Sequence, residues 1–145
     1  MNELTISDLY EMFAKGDVEQ SYDIIFSSEM IDNYATLYST PISPLHTDDQ
    51  YAVEFVFKAR IVPQLLIVSQ FLPLIEYYLP GKYGLGLGAN DLKFRKPVYV
   101  GDKLTINGKL TRVSLATKMI ILKITVVNQD GLLISDCSWK AKLLK

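Results

Sequence analysis

The side chain with the most evident chemistry in this sequence is His46, the only histidine among 145 residues. An imidazole can accept a proton and return it near neutral pH, which suits a general base or acid. Two prolines closely precede it and stiffen its segment into a defined loop. The next four residues fit a capping box with Thr47 as N-cap and Gln50 as its partner, which predicts a short helix from Asp48 to about Phe57. We therefore expect His46 at the mouth of a helix, where backbone N–H groups point outward.

Other residue types exclude several kinds of site. The single cysteine, Cys137, cannot form an intrachain disulfide or a cysteine-rich zinc site, and its alternating strand context favours a buried thiol over a nucleophile. Gly84, Gly86 and Gly88 alternate along a predicted strand and do not open a helix, so they are no dinucleotide motif. We expect them to share one strand face and to make room for a helix. With 15 basic and 16 acidic residues, the chain has no charge excess that would favour nucleic acid.

Several helices must position this loop. Ile6 to Ala14 is a predicted amphipathic helix, and alternation from Tyr22 to Phe26 predicts a strand. Ser27 is a predicted N-cap, with Phe26 and Ile31 as a hydrophobic staple, for a helix that reaches about Tyr38. Pro63 suits the first turn of a further helix, because its missing N–H would have no partner there.

The central helix is expected from Leu65 to Tyr78, where the residues are apolar nearly all round. Pro73 should kink it, and Leu79-Pro80-Gly81 should end it. The stretch from Ile61 to Leu79 is a poor membrane span, because it contains prolines, glutamines and a glutamate. The N-terminal residues are acidic and lack the apolar region of a signal peptide. We therefore expect a cytoplasmic protein.

The remaining chain is predicted to be strands, which gives an α+β fold in one domain over residues 1–145. Asn128-Gln129-Asp130-Gly131 is a predicted hairpin turn. One apolar helix followed by an antiparallel meander implies a sheet wrapped round that helix. The strand signals are at Leu92 and Phe94, Leu104 and Ile106, Met119 to Val127, and Leu132 to Leu144.

Three stretches resemble the MaoC-like dehydratases, a family that includes the (R)-specific enoyl-CoA hydratases. They are Ser43-Pro44-Leu45-His46 with the following residues to Ala52, Phe94 to Leu104 with its Pro-Val and Gly-Asp pairs, and the hairpin from Val126 to Gly131. The resemblance implies a hotdog fold and a homodimer, or a heterodimer with a homologue. It also implies an acyl thioester as ligand, with coenzyme A or phosphopantetheine as part of the substrate and no separate cofactor or metal.

The resemblance also implies roles for residues. His46 occupies the family's catalytic histidine position, but the family's aspartate has no counterpart, because Thr40-Pro41-Ile42 holds no carboxylate. Ser43 stands where the family has asparagine and is counted with the catalytic group. Pro63-Gln64 replaces His-Gly at the head of the central helix, which leaves the Gln64 backbone amide as donor to the thioester carbonyl.

Further binding residues are expected from their residue types and positions. Tyr38 and Thr40 are expected to hydrogen-bond substrate or water, and Pro63 to border it. Lys93 and Arg95 would contact phosphates of the carrier, although a solvated strand face explains them as well. Asp48 and Asp49 suit the first turn of a helix, so we interpret them as structural.

These observations lead to three functional hypotheses. The first is a hydratase or dehydratase acting on an acyl thioester in fatty-acid or polyketide metabolism, with chemistry altered by the missing aspartate. The second is a non-catalytic subunit or thioester-binding module that pairs with an active homologue. The third is a hotdog thioesterase.

Overall fold

A computed structural model describes residues 4–16, 18–78 and 84–144 of the chain. The elements in chain order are α1 (Ile6–Lys15), β1 (Glu19–Ile25), α2 (Ser28–Ala35), a 3-10 turn (Pro44–His46), α3 (Asp49–Glu54), α4 (Gln64–Ser69), α5 (Leu72–Tyr78), β2 (Gly84–Phe94), β3 (Lys103–Ser114), β4 (Met119–Val127) and β5 (Leu133–Leu143). Helices precede four consecutive strands, as the sequence predicts.

The five strands form one antiparallel sheet in the order β1-β3-β4-β5-β2. The β4–β5 hairpin turns at Gly131, whose φ of 74° requires the left-handed conformation that glycine adopts readily. The Asn128 side chain accepts hydrogen bonds from the amides of Asp130 and Leu132, both at 3.0 Å. The predicted hairpin and the predicted limits of β4 are confirmed.

One face of the sheet packs against α4 and α5 to form the core. Burial alternates strictly along β4, so every second side chain of that strand faces the helices. A Cβ at Gly108 of β3 would lie 3.1 Å from Leu74, which shows how closely α5 approaches the sheet. Tyr78 at the end of α5 is fully buried and donates its hydroxyl hydrogen to the Val18 carbonyl at 2.7 Å. The α+β layering is therefore confirmed.

The prediction of one continuous central helix is wrong. The chain forms α4 and α5, with Gln70 and Phe71 between them in a tight turn. Pro73 explains the break, since its ring would clash with the carbonyl four residues earlier and its nitrogen donates no bond. At the second position of α5 the missing N–H costs nothing.

None of the helices in residues 4–16, 18–78 and 84–144 has the length and apolar character needed to cross a bilayer.

Local predictions around the other helices are mixed. Ser27 caps α2 as expected, accepting from the Met30 amide at 3.2 Å. The helix ends at Ala35, however, and tighter turns continue to Tyr38. The N-cap of α3 is Asp48 rather than Thr47, because the Asp48 carboxylate accepts from the Tyr51 amide.

The glycines of β2 do not all share one face. Gly84 and Gly86 pair with the buried residues Leu143 and Ala141, but a register shift places Gly88 opposite Lys140. A bulge inserts one residue and therefore moves every later side chain to the opposite face. The predicted end of the central helix at Leu79-Pro80-Gly81 lies outside the described residues.

Candidate active site

A cavity of about 340 Å³ lies between α2, the 3-10 turn and the start of α4. It brings together five predicted site residues that are far apart in sequence. The residues that line it are Tyr34, Tyr38, Ile42, Ser43, His46, Pro63, Gln64 and Leu65. The predicted loop and the head of the central helix thus line one space.

Hydrogen bonds hold the His46 ring in this wall. Its Nδ1 lies 2.8 Å from the Ile61 carbonyl oxygen. The Ile61 amide donates back to the Leu45 carbonyl at 2.9 Å, so the two segments are tied in both directions. A carbonyl oxygen only accepts, so Nδ1 must carry the hydrogen. In the neutral ring this leaves Nε2 with a free lone pair, as a general base requires.

The start of α4 forms another part of the cavity wall. Pro63 is buried and serves as N-cap in an extended conformation, with no side-chain cap bond. The first amides of a helix have no partner within it, so those of Gln64 and Leu65 have no intrahelical acceptor. Backbone hydrogens in such a position can stabilise negative charge on an oxygen. His46 and the first residues of α4 therefore line one cavity.

Sequence reasoning missed Tyr34. Its hydroxyl oxygen lies 2.6 Å from that of Tyr38, and the two rings meet edge to face with centroids 5.4 Å apart. Burial raises the pKa of Tyr34 to about 12, and the hydrogen bond with Tyr38 adds to the effect. The signal was present, because residues four apart in a helix lie side by side. The predicted helix reached about Tyr38 and therefore already contained both tyrosines.

Other predicted residues lie elsewhere. Thr40 and Lys93 are exposed and are not among the described residues that line this cavity. Arg95 lines a neighbouring depression of about 220 Å³, which shares Gln64 with the first cavity. Its guanidinium pairs with Asp136 at 2.9 Å.

Carboxylates near the site have structural partners. Asp48 caps α3, and Asp49 accepts from the Arg60 amide at 2.8 Å. Asp32 pairs with the Arg60 guanidinium at 3.2 Å. Among the described residues that line the His46 cavity there is no carboxylate. The structural interpretation of Asp48 and Asp49 therefore holds.

A larger cavity of about 420 Å³ lies between the central helices and the β2–β5 edge. Most of its lining is apolar, and Trp139 forms part of it. Its lining residues are Val68, Ser69, Leu72, Ile75, Glu76, Gly84, Gly86 and Trp139. A Cβ at Gly86 would lie 2.9 Å from the Trp139 ring, so the missing side chain there makes room for that ring.

The lone cysteine takes no part in either cavity. Cys137 is fully buried in β5, and burial raises the pKa of its thiol to about 11. A thiol with so high a pKa is protonated near neutral pH and is a poor nucleophile. The predicted buried thiol is confirmed.

Several known proteins are similar to this chain. The family model "MaoC like domain" matches residues 12–130. The (R)-specific enoyl-CoA hydratase of Aeromonas caviae is 32% identical over 108 residues, which cover 74% of this chain and 79% of that protein. A mitochondrial 3-hydroxyacyl-[acyl-carrier-protein] dehydratase of Arabidopsis thaliana is 38% identical over 80 residues, which cover 55% of this chain and 46% of that protein.

Solved structures support the hotdog fold. The (R)-hydratase of A. caviae, described as involved in PHA biosynthesis, superposes with a TM-score of 0.77 and 30% identity, covering 86% of this chain and 93% of that one. The ChsH1-ChsH2 complex of Mycobacterium tuberculosis superposes with a TM-score of 0.75 and 20% identity, covering 88% of this chain and 96% of that one. At that identity the second likeness shows the fold alone. The predicted hotdog fold is confirmed.

Proposed function

Because the chain belongs to the MaoC-like domain family, we propose that it is a hydratase or dehydratase that adds water reversibly to an enoyl thioester. The observation that carries the proposal is the His46 ring, whose Nδ1–H is engaged by Ile61 while His46 and Gln64 line the same cavity. Hydration needs a base for water and a donor for the thioester oxygen, and these two groups supply them.

The proposed reaction begins with His46 Nε2 taking a proton from water. As the water oxygen bonds to the β-carbon, charge develops on the thioester oxygen. A backbone amide of Gln64 directed at that oxygen would stabilise the enolate-like state. Dehydration of a 3-hydroxyacyl thioester is the same path reversed.

The two further depressions suit the remainder of the substrate. The apolar cavity beside Trp139 would receive an acyl chain, since its lining offers mainly hydrocarbon contacts. Arg95 borders the smaller depression at Gln64, and Lys93 lies one residue from its wall at Phe94. Both would contact phosphates of coenzyme A or of phosphopantetheine, which enters as part of the substrate. Ser43 would support the His46 loop, because its hydroxyl accepts from the Leu45 amide.

A second candidate function is a thioester-binding subunit without turnover. The specific observation in its favour is the lack of a carboxylate among the described residues that line the His46 cavity. In this case the chain would pair with an active homologue. A solved two-component complex has the same fold.

We also propose that the chain forms a dimer, either with itself or with a homologue. The β2 edge has no further strand beside it in the described sheet, and the exposed Leu85 and Leu87 lie on that strand. Leu65 and Leu72 on the central helices are also 62% and 56% exposed. Contact with a partner would cover this apolar surface.

The decisive experiment follows the loss of short-chain and medium-chain trans-enoyl thioesters, of coenzyme A and of a carrier protein, by their absorbance. We expect the wild type to hydrate at least one of them and His46→Ala to lower kcat by roughly 10²–10⁴-fold, as loss of a general base does. Thr40→Ala is the matched control, since Thr40 lies in the same loop outside the cavity lining. It should keep wild-type activity.

The other hypotheses give different results. Thioester binding by isothermal calorimetry without turnover would support the subunit. Release of free thiol without hydration would identify a thioesterase. Equal turnover by His46→Ala and the wild type would contradict the proposed role of the ring.

A further inference from the structure

The hydroxyl groups of Tyr34 and Tyr38 form one hydrogen-bonded pair in the wall of the His46 cavity. Their oxygens are 2.6 Å apart, and both side chains line the same 340 Å³ space as His46. Tyr34 is half-buried and Tyr38 is 45% exposed, so the pair lies at the boundary between protein and cavity. Such a pair can contact a molecule that enters the cavity.

An attacking water in this cavity needs acceptors for both of its hydrogens. His46 Nε2 can take one, but the described lining holds no carboxylate for the second. Of the three hydroxyl-bearing side chains there, Ser43 already accepts from the Leu45 amide at 3.3 Å within its own loop. Gln64 also lines the cavity and carries a side-chain amide oxygen, while Tyr34 and Tyr38 supply two hydroxyl oxygens that are already paired with each other.

The chemistry of paired hydroxyls suits an acceptor role. Two hydroxyls carry two hydrogens, and one hydrogen is shared between the oxygens. The oxygen that donates this hydrogen keeps its lone pairs, and donation makes it more electron-rich and a better acceptor. With a pKa of about 12, the Tyr34 hydroxyl stays protonated near neutral pH, so the pair can orient a water without removing its proton.

Building on the hydratase function proposed above, we propose that the Tyr34–Tyr38 pair positions the attacking water by accepting one of its hydrogens while His46 Nε2 accepts the other. The bond from the water oxygen to the β-carbon forms as the O–H bond to Nε2 breaks. The electron pair of the carbon–carbon double bond moves to the α-carbon and the thioester oxygen. The α-carbon then takes the proton back from the imidazolium, so water is added in full and the tyrosines end unchanged. Tyr34 and Tyr38 are positioning residues in this scheme.

The test compares Tyr34→Phe, Tyr38→Phe and the double variant on the thioester that the wild type converts fastest. Removing a water-positioning hydrogen bond should lower kcat by about 10-fold, with KM for the thioester unchanged. Because one hydroxyl acts through the other, the double variant should be no slower than the slower single variant. Thermal unfolding of each variant checks that it folds.

Tyr51→Phe is the matched control, since Tyr51 contacts Phe55 and is not among the described residues of the cavity lining. Its kcat should equal that of the wild type. Unchanged kcat in the tyrosine double variant would overturn the inference, as would multiplied losses or a raised KM, which would indicate two separate substrate contacts. A wild type that hydrates no thioester would overturn the hydratase function itself. Turnover that needs His46 but neither tyrosine would overturn the water-positioning role alone.

Discussion

In the strands β3, β4 and β5, buried side chains alternate with partly exposed ones, and four residues of β4 are entirely buried. In the segment of residues 36–63, which carries His46, the buried side chains are Ala52, Val62 and Pro63. Val56 in this segment is 96% exposed and has a φ of 66°, which is unfavourable for a β-branched side chain. The sheet is held by dense packing, whereas the site segment is held by a few specific hydrogen bonds.

This contrast fits the proposed location of the chemistry in the His46 segment. A tightly packed sheet provides a rigid support, but its side chains are occupied by one another. A loop with little buried surface leaves polar groups accessible and depends on contacts such as His46 to Ile61 for its geometry. Substitutions in the two regions should therefore affect different properties.

The largest difference is expected between two leucines. Leu122→Ala should lower the free energy of unfolding by about 2–5 kcal/mol, because Leu122 is fully buried in β4. Leu65→Ala should change it by less than about 0.5 kcal/mol in a monomer, since Leu65 is 62% exposed. Urea denaturation measures both. A large cost for Leu65→Ala that varies with protein concentration would instead locate a subunit contact at α4, and sedimentation of the same variants would detect the dimer.

An intermediate effect is expected from two glycines on the core face of the sheet. A Cβ at Gly86 would lie 2.9 Å from Cζ2 of the rigid Trp139 ring, so Gly86→Ala should cost about 1–3 kcal/mol in stability. A Cβ at Gly108 would lie 3.1 Å from Leu74 Cδ1, but this terminal methyl group can rotate away. Gly108→Ala should therefore lower the stability less than Gly86→Ala. Thermal unfolding of the two variants compares them directly, and equal losses would contradict the role assigned to Trp139.

The smallest effect concerns acid stability. Burial of Asp136 opposes ionisation, but hydrogen bonds and charges from Lys123 and Arg95 outweigh it and hold the pKa of the carboxyl below its usual value. A lowered pKa contributes stability above the ordinary aspartate pKa of about 3.9, and this stability is lost as the pH falls through the lowered value. Asp136→Asn should therefore make the free energy of unfolding depend less on pH in that acid range.

Asp23→Asn is the matched control for this effect. Asp23 pairs with Lys103 at 2.8 Å, but its side chain is 47% exposed, so solvent screens the pair. The Asp23 variant should change the pH dependence of the free energy of unfolding in acid less than the Asp136 variant does. The reverse order, measured by denaturation as a function of pH, would contradict the stronger role of Asp136.

Local patterns were sufficient for much of the fold. The limits of β4, the Asn128 hairpin and the Ser27 cap depend on side-chain alternation or on contacts within a few residues, and all three were predicted. At Pro73 a kink was predicted, but the helix breaks there into α4 and α5. The N-cap of α3 was predicted one residue too early. Competing caps differ by a single hydrogen bond, so neighbouring positions are hard to distinguish.

The sequence by itself determined the kinds of element, the sheet-forming half and the single imidazole that marks the site, because periodicity and residue type act locally. Only the tertiary structure decided that Ile61 selects the His46 tautomer, that Tyr34 and Tyr38 share the cavity with His46, and that a bulge turns Gly88 away from Gly86. These features depend on contacts between segments distant in the chain or on strand register. Neither distance nor register is encoded in any short run of residues.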